Sequence, residues 1–167
     1  MTAPIIVSAT FGARDFAFLD GLRRAHFPPE RHLIPAHLTL FHHLAPELAA
    51  EVKQRLVAAT RGTPPPRAEI AGLRNLGKGV ALRIVSPALE AIRAELAHAF
   101  ANMLTPQDRA GWRPHVTIQN KVEPAAAKAL FAELSAAFAP RPLAIRGLAS
   151  WWYRGGPWEP LSSHNFA

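Results

Sequence analysis

The sequence predicts an α+β fold: a bilobal pair of duplicated β-α-β-α-β halves whose two antiparallel or mixed sheets flank a central cleft. Three observations predict it. Two four-residue words, His37-Leu38-Thr39-Leu40 and His115-Val116-Thr117-Ile118, repeat one pattern 78 residues apart. The same offset carries Pro46 onto Pro124 and Pro64 onto Pro142, so the segment starts and breaks that follow each word are also in register. In a chain of 167 residues, a half of about 75 residues is too small to complete a large core alone, which favours two halves packed about a pseudo-twofold axis. The expected organisation is one domain over 1–167, with lobes at approximately 1–76 and 77–167.

Each element has its own signal. Ile5 to Ala9 reads as a buried strand, and Arg14 to Ala25 as a helix with Phe16, Leu19 and Arg23 on one stripe, ended by Phe27-Pro28-Pro29-Glu30. The first word is a strand. Pro46 opens a helix carrying Leu48, Val52, Leu56 and Val57, closed by Gly62 and the Pro64 to Pro66 run. Ala68 to Leu73 and Val80 to Val85 are strands of a hairpin turning at Asn75-Leu76-Gly77-Lys78-Gly79. The second half repeats the plan: a helix from Pro87 to about Met103 with Leu89, Ile92, Leu96 and Phe100, the second word, and a helix from Pro124 to Phe138. A last hairpin near 148–166 turns around Gly155-Gly156.

Composition narrows the function classes. A hydrophobic content of 49% excludes disorder, and no apolar run approaches the roughly 20 residues a spanning helix needs, so no membrane is expected as partner. The start, Met1 to Val7, lacks a basic leader, which with the absence of Cys fits a cytoplasmic protein. Having no Cys also removes disulfides and thiolate nucleophiles. The excess of 19 Lys and Arg over 12 Asp and Glu favours an anionic partner such as RNA or a nucleotide, although a solvated basic surface explains the charge equally well. No obligate protein partner is implied, and a monomer is expected.

The words carry the chemistry. On a strand, side chains repeat direction every second residue, so His37 and Thr39 share one face while Leu38 and Leu40 face the core, and His115, Thr117, Val116 and Ile118 do likewise. Two imidazoles across a cleft form an acid/base couple, one taking a proton from the attacking group and the other giving one to the leaving group. Each Thr hydroxyl can donate to a nonbridging phosphate oxygen. Phosphodiester cleavage or transfer at a ribose needs this division of labour and requires no metal and no cofactor.

Strand parity also places Phe41 and Gln119 on the face of the pairs, as candidates for stacking on a base and for hydrogen bonding to one; a packed aromatic is the competing reading for Phe41. Lys78, Arg113 and Arg154 are candidate phosphate contacts, with surface charge as the alternative. Trp151, Trp152 and Trp158 form either a platform for bases or a cover over the core. His42 and His43 invite a metal reading, but adjacent residues point to opposite strand faces and no acidic ligand is near in sequence, so no metal site is expected.

The two words resemble the paired His-x-Thr-x signatures of the two-histidine (2H) phosphoesterase superfamily, in particular its bacterial 2'-5' RNA ligase-like (LigT-like) branch. The segment Tyr153-Arg154-Gly155-Gly156-Pro157-Trp158 resembles the closing segment of that branch and adds Tyr153 to Arg154 as a candidate substrate contact. The resemblance implies a bilobal fold with a central cleft, and metal-independent hydrolysis of RNA 2',3'-cyclic phosphates or chemistry at 2'-5' linkages. It also implies His37 and His115 as acid and base and Thr39 and Thr117 as phosphate holders. The alternative from another class is a non-catalytic RNA- or nucleotide-binding module that retains the cleft.

Overall fold

Among the described residues twelve helices and strands occur, eleven of them in the order the periodicity predicts, with local reasons for most boundaries. The structure, a computed structural model, describes residues 3–167, so Met1 and Thr2 of the segment read for a leader lie outside it. Strand β1 (Ile5–Phe11) is buried along almost its whole length, and helix α1 (Ala13–His26) ends where Phe27 turns extended before Pro28. Strand β2 (Leu38–Leu44) holds the first word, and α2 (Ala49–Thr60) follows a single turn begun by Pro46. Strands β3 (Arg67–Asn75) and β4 (Val80–Val85) form the expected hairpin. At its turn Gly77 has φ +91 and its N–H donates to Asn75 Oδ1 at 2.8 Å.

Helix α3 (Pro87–Ala99) starts on Ser86, whose Oγ accepts from Leu89 N–H at 3.2 Å, with Pro87 in the first turn. The helix stops at Ala99 and not near Met103: Phe100 departs from helical backbone and Ala101–Met103 form a separate tighter turn. A short helix α4 (Pro106–Arg109), which the periodicity did not signal, precedes β5 (His115–Gln119); α5 (Pro124–Ala137) then leads to β6 (Arg141–Trp152) and β7 (Glu159–Asn165).

The strands run β2-β1-β6-β3-β4-β5, with β7 also on β6, and every described pairing is antiparallel. With the short α4 set aside, strand-helix-strand-helix-strand occurs twice in the element order, but the last strand of each run pairs across position 76: β3 joins β4, and β6 lies against β1. The ribbon expected from Leu148 is the second half of one 12-residue strand. Residues 141–144 of that strand pair with β3, and 147–152 lie between β1 and β7.

The core consists of one apolar cluster that includes Leu38, Leu40, Val116 and Ile118, all fully buried. Each contributes roughly 1.5–3 kcal/mol by leaving water, and so the apolar half of each word anchors its polar half. The edges of the strand path, β2 and β5, come back within 8 Å of one another between Cα atoms, which puts the two words in one cleft.

Candidate active site

Each histidine is fixed by the same local device. The Nδ1–H of His37 donates to the Pro35 carbonyl at 2.8 Å, and that of His115 to the Arg113 carbonyl at 2.8 Å. A carbonyl only accepts, so Nδ1 carries the proton and Nε2 is left for chemistry in both rings. Burial pushes the His37 imidazole down to about 4, with the charges of Arg23, His115 and His42 adding to it against the Pro35 hydrogen bond. Burial also lowers His115, opposed by its bond to Arg113 and reinforced by Arg74 and His42. Both shifts favour the neutral imidazole, and an incoming phosphate anion favours protonating one of the rings.

Two buried arginines on helices tie the words together. Arg23 of α1 donates from Nε to the Ile34 carbonyl at 2.8 Å and from Nη1 to the Thr117 carbonyl at 2.7 Å, so one guanidinium joins the loop entering the first word to the strand of the second. Arg93 of α3 does the converse, donating from Nε to the Leu40 carbonyl at 3.1 Å and from Nη2 to the Asp108 carbonyl at 2.7 Å. Their neighbours complete the frame. The Trp112 indole donates to the Thr39 carbonyl at 3.0 Å, and Asp20 Oδ1 accepts from Ala36 N–H at 3.0 Å. The Asp108 carboxylate accepts from the backbone N–H of His42 and His43 at 2.9–3.0 Å.

Two cavities flank the pair. One of about 340 Å³ is lined by His37, Phe11, Phe16, Trp151 and Trp158 among others, with the Trp158 and His37 ring centroids 4.5 Å apart. Trp151 spends its indole N–H on Ser8 Oγ at 2.9 Å, so it offers this cavity an aromatic surface and no free donor. The second cavity, about 420 Å³, is lined by Thr39, His115, His42, Arg74, Trp112 and Arg113 with others.

The structure sorts the remaining sequence candidates. His37, Thr39, His115 and Arg113 line these two cavities, whereas Thr117, two residues past His115 on β5, lines neither and gives its carbonyl to Arg23. Phe41 is corrected: it is fully buried, edge-on to Phe100 at 6.1 Å and covered by the Arg93 guanidinium at 4.4 Å, so no base can stack on it. The reason is a bulge. Val7 pairs with Phe41 but Ser8 with Thr39, so simple alternation fails between those positions. Gln119 is buried too and lines neither cavity; its Oε1 has no hydrogen-bond partner among the described residues. Arg154 pairs with Glu159, Tyr153 is exposed, and neither lines the cavities. His42 turns its Nδ1 to Asp108 at 3.1 Å, and among the described residues no cluster of three or more His, Asp or Glu side chains is placed to hold a metal.

Arg93, Asp108, Trp112 and Arg74 were not singled out by the sequence, and Arg23 was read only as part of a stripe. The available signal was an arginine at an apolar-stripe position, Leu19/Arg23 in α1 and Leu89/Arg93/Leu96 in α3, where a buried charge must find partners.

Comparison with known proteins gives a family and a shared fold. Residues 12–157 match the model of a family described as the 2'-5' RNA ligase superfamily. Among solved structures, Escherichia coli LigT in apo form shares 18% identity over 100% of this chain and 99% of its own, with a TM-score of 0.58. LigT complexed with 3'-AMP gives 18% and 0.60 over 100% and 99%. The protein TT0787 of Thermus thermophilus gives 14% and 0.61 over 98% and 97%. No curated relative matches the sequence.

Proposed function

The chain belongs to the 2'-5' RNA ligase superfamily, and on that premise we propose that it is a metal-independent RNA or nucleotide phosphoesterase that opens a ribose 2',3'-cyclic phosphate, leaving a 2'-phosphate, or makes and breaks 2'-5' linkages. The whole chain acts as a single domain of two related lobes, as a cytoplasmic monomer. The carrying observation is the matched fixing of two imidazoles, Nδ1 to the carbonyl two residues before, with neither Nε2 hydrogen-bonded among the described residues.

In ring opening, a neutral His takes a proton from water as its oxygen bonds to phosphorus. The P–O3' bond breaks, and the partner imidazolium protonates O3'. His37, held lowest by burial and by Arg23, suits the base, and His115 the acid. Thr39 and Thr117 donate to the nonbridging oxygens, where negative charge builds. That E. coli LigT was solved with 3'-AMP and with phosphate supports this substrate class.

The test is a panel of nucleoside 2',3'-cyclic phosphates, cyclic-ended RNA and 2'-5' oligonucleotides, run with and without EDTA, with phosphate position read by 31P NMR. The reading expects EDTA-resistant turnover of at least one of them. Tight binding without product across the panel would instead make the chain a binding module.

A further inference from the structure

The β3-β4-β5 sheet and the loop before β5 carry arginines that the two-histidine chemistry does not use. In the register of the β3-β4-β5 sheet, Gly72 lies opposite Arg83 and Arg83 opposite His115; one step along, Arg74 lies opposite Ala81 and Ala81 opposite Thr117. Residues directly opposite on antiparallel strands point to the same face, so His115, Thr117, Arg83 and Arg74 share the cleft face, with Gly72 and Ala81 as low points between them. The cavity at His115 continues outward: Arg74, Trp112, Arg113 and His115 line both it and a neighbour of about 470 Å³ that reaches Arg83.

These guanidiniums make no ion pair among the described residues. Among the described residues, the ion pairs of arginine are Arg24–Asp20, Arg55–Glu51, Arg141–Asp15 and Arg154–Glu159, and none involves Arg74, Arg83 or Arg113. Glu90 is the one carboxylate in the outer lining, against three arginines. Arg83 is also held in place. Its Nη2 donates to the Ala71 carbonyl at 3.3 Å and lies over Gly72, where a Cβ would stand 3.1 Å from it. With strands about 4.8 Å apart, Arg83 stands one strand and Arg74 two strands from the second word.

We propose that this arginine-bearing floor is a subsite for a second phosphate, the one on the 5' oxygen of the nucleoside whose 2',3' phosphate reacts. The proposal rests on the two-histidine reading, which commits the 2' and 3' oxygens to the catalytic cleft; the 5' oxygen is then the remaining ribose position for a phosphate. Arg74 and Arg113 line the His115 cavity, and Arg83, one strand from the second word, lines the adjoining one, where their guanidiniums can hydrogen-bond a phosphate. The enzyme therefore favours substrates that carry a phosphate on the 5' oxygen of the reacting nucleoside.

The experiment compares three substrates with one base: the nucleoside 2',3'-cyclic phosphate, its 5'-phosphorylated form, and a dinucleotide ending in the cyclic phosphate. The expected result is a kcat/KM gain of roughly ten-fold or more for a substrate with the second phosphate, falling with added salt and reduced several-fold in Arg83→Gln. A gain for the dinucleotide alone assigns the phosphate to a chain, and a gain for both assigns it to any 5' phosphate. Equal kcat/KM for all three, with the plain cyclic phosphate still hydrolysed, overturns the subsite and leaves the two-histidine reading standing. Turnover of none removes that reading, and the subsite with it.

Discussion

Replacing Arg23 by Met separates the mechanical and electrostatic roles of the tether. The change removes two charge-assisted hydrogen bonds, at 2.8 Å to the Ile34 carbonyl and 2.7 Å to the Thr117 carbonyl, and the stacking of the guanidinium 4.0 Å over Phe27. Bonds to a charged group contribute about 1.5–3 kcal/mol each. Burial of the guanidinium, which brings its pKa down to about 10, opposes part of that gain, and a net loss of about 2–4 kcal/mol is expected. Urea unfolding should show it as a lower midpoint with an unchanged slope. The same change removes a positive charge that lowers His37, so the His37 pKa, followed by its ring proton in NMR, should rise from about 4. Arg23→Lys keeps the charge and loses the fork: it should lose stability while leaving His37 low. A Met variant with wild-type stability and wild-type His37 titration would refute the tether.

The pH profile follows from the lowered histidines. The working state needs one neutral and one protonated imidazole, so kcat/KM falls as pH drops through the His37 value of about 4 and falls again as pH rises through the lowered His115 value; a bell centred below the ordinary 6.5 is expected, and a maximum at 8 contradicts it. Asp108→Ala leaves the His42 and His43 N–H groups without their acceptor and should cost about 2–5 kcal/mol in denaturant unfolding. Burial raises the Asp108 carboxyl, but the His42 and His43 hydrogen bonds outweigh this and hold it below its ordinary 3.8. That contribution is present above pH 3.8 and lost as pH falls through the lower folded value. Thr39→Val and Thr117→Val should each lower kcat about 10- to 100-fold, less than loss of either histidine.

The words were legible because alternation and composition coincide there: Leu38, Leu40, Val116 and Ile118 are core as read, and the polar partners follow. The element order was equally plain, since Pro46, Pro87 and Pro124 mark segment starts where a missing N–H costs nothing. Three things were hidden. The bulge that buries Phe41 depends on pairing with β1, which no local pattern encodes. The crossing of β3 and β6 between the two runs is a choice of partner strand, and alternation specifies a face but not a neighbour. The tethers depend on where helix arginines meet backbone carbonyls distant in sequence, Arg23 with Thr117 and Arg93 with Leu40, so only folding reveals them.

The central claim is that His37 and His115 together carry out proton transfer at phosphorus. The direct measurement is hydrolysis of a nucleoside 2',3'-cyclic phosphate by the wild type, His37→Ala, His115→Ala and the double variant, each checked for folding by circular dichroism. Each single change should lower kcat by about a thousand-fold or more, with the double variant little worse than the weaker single because the pair acts as a unit. A folded double variant that hydrolyses the cyclic phosphate as fast as wild type would contradict the account.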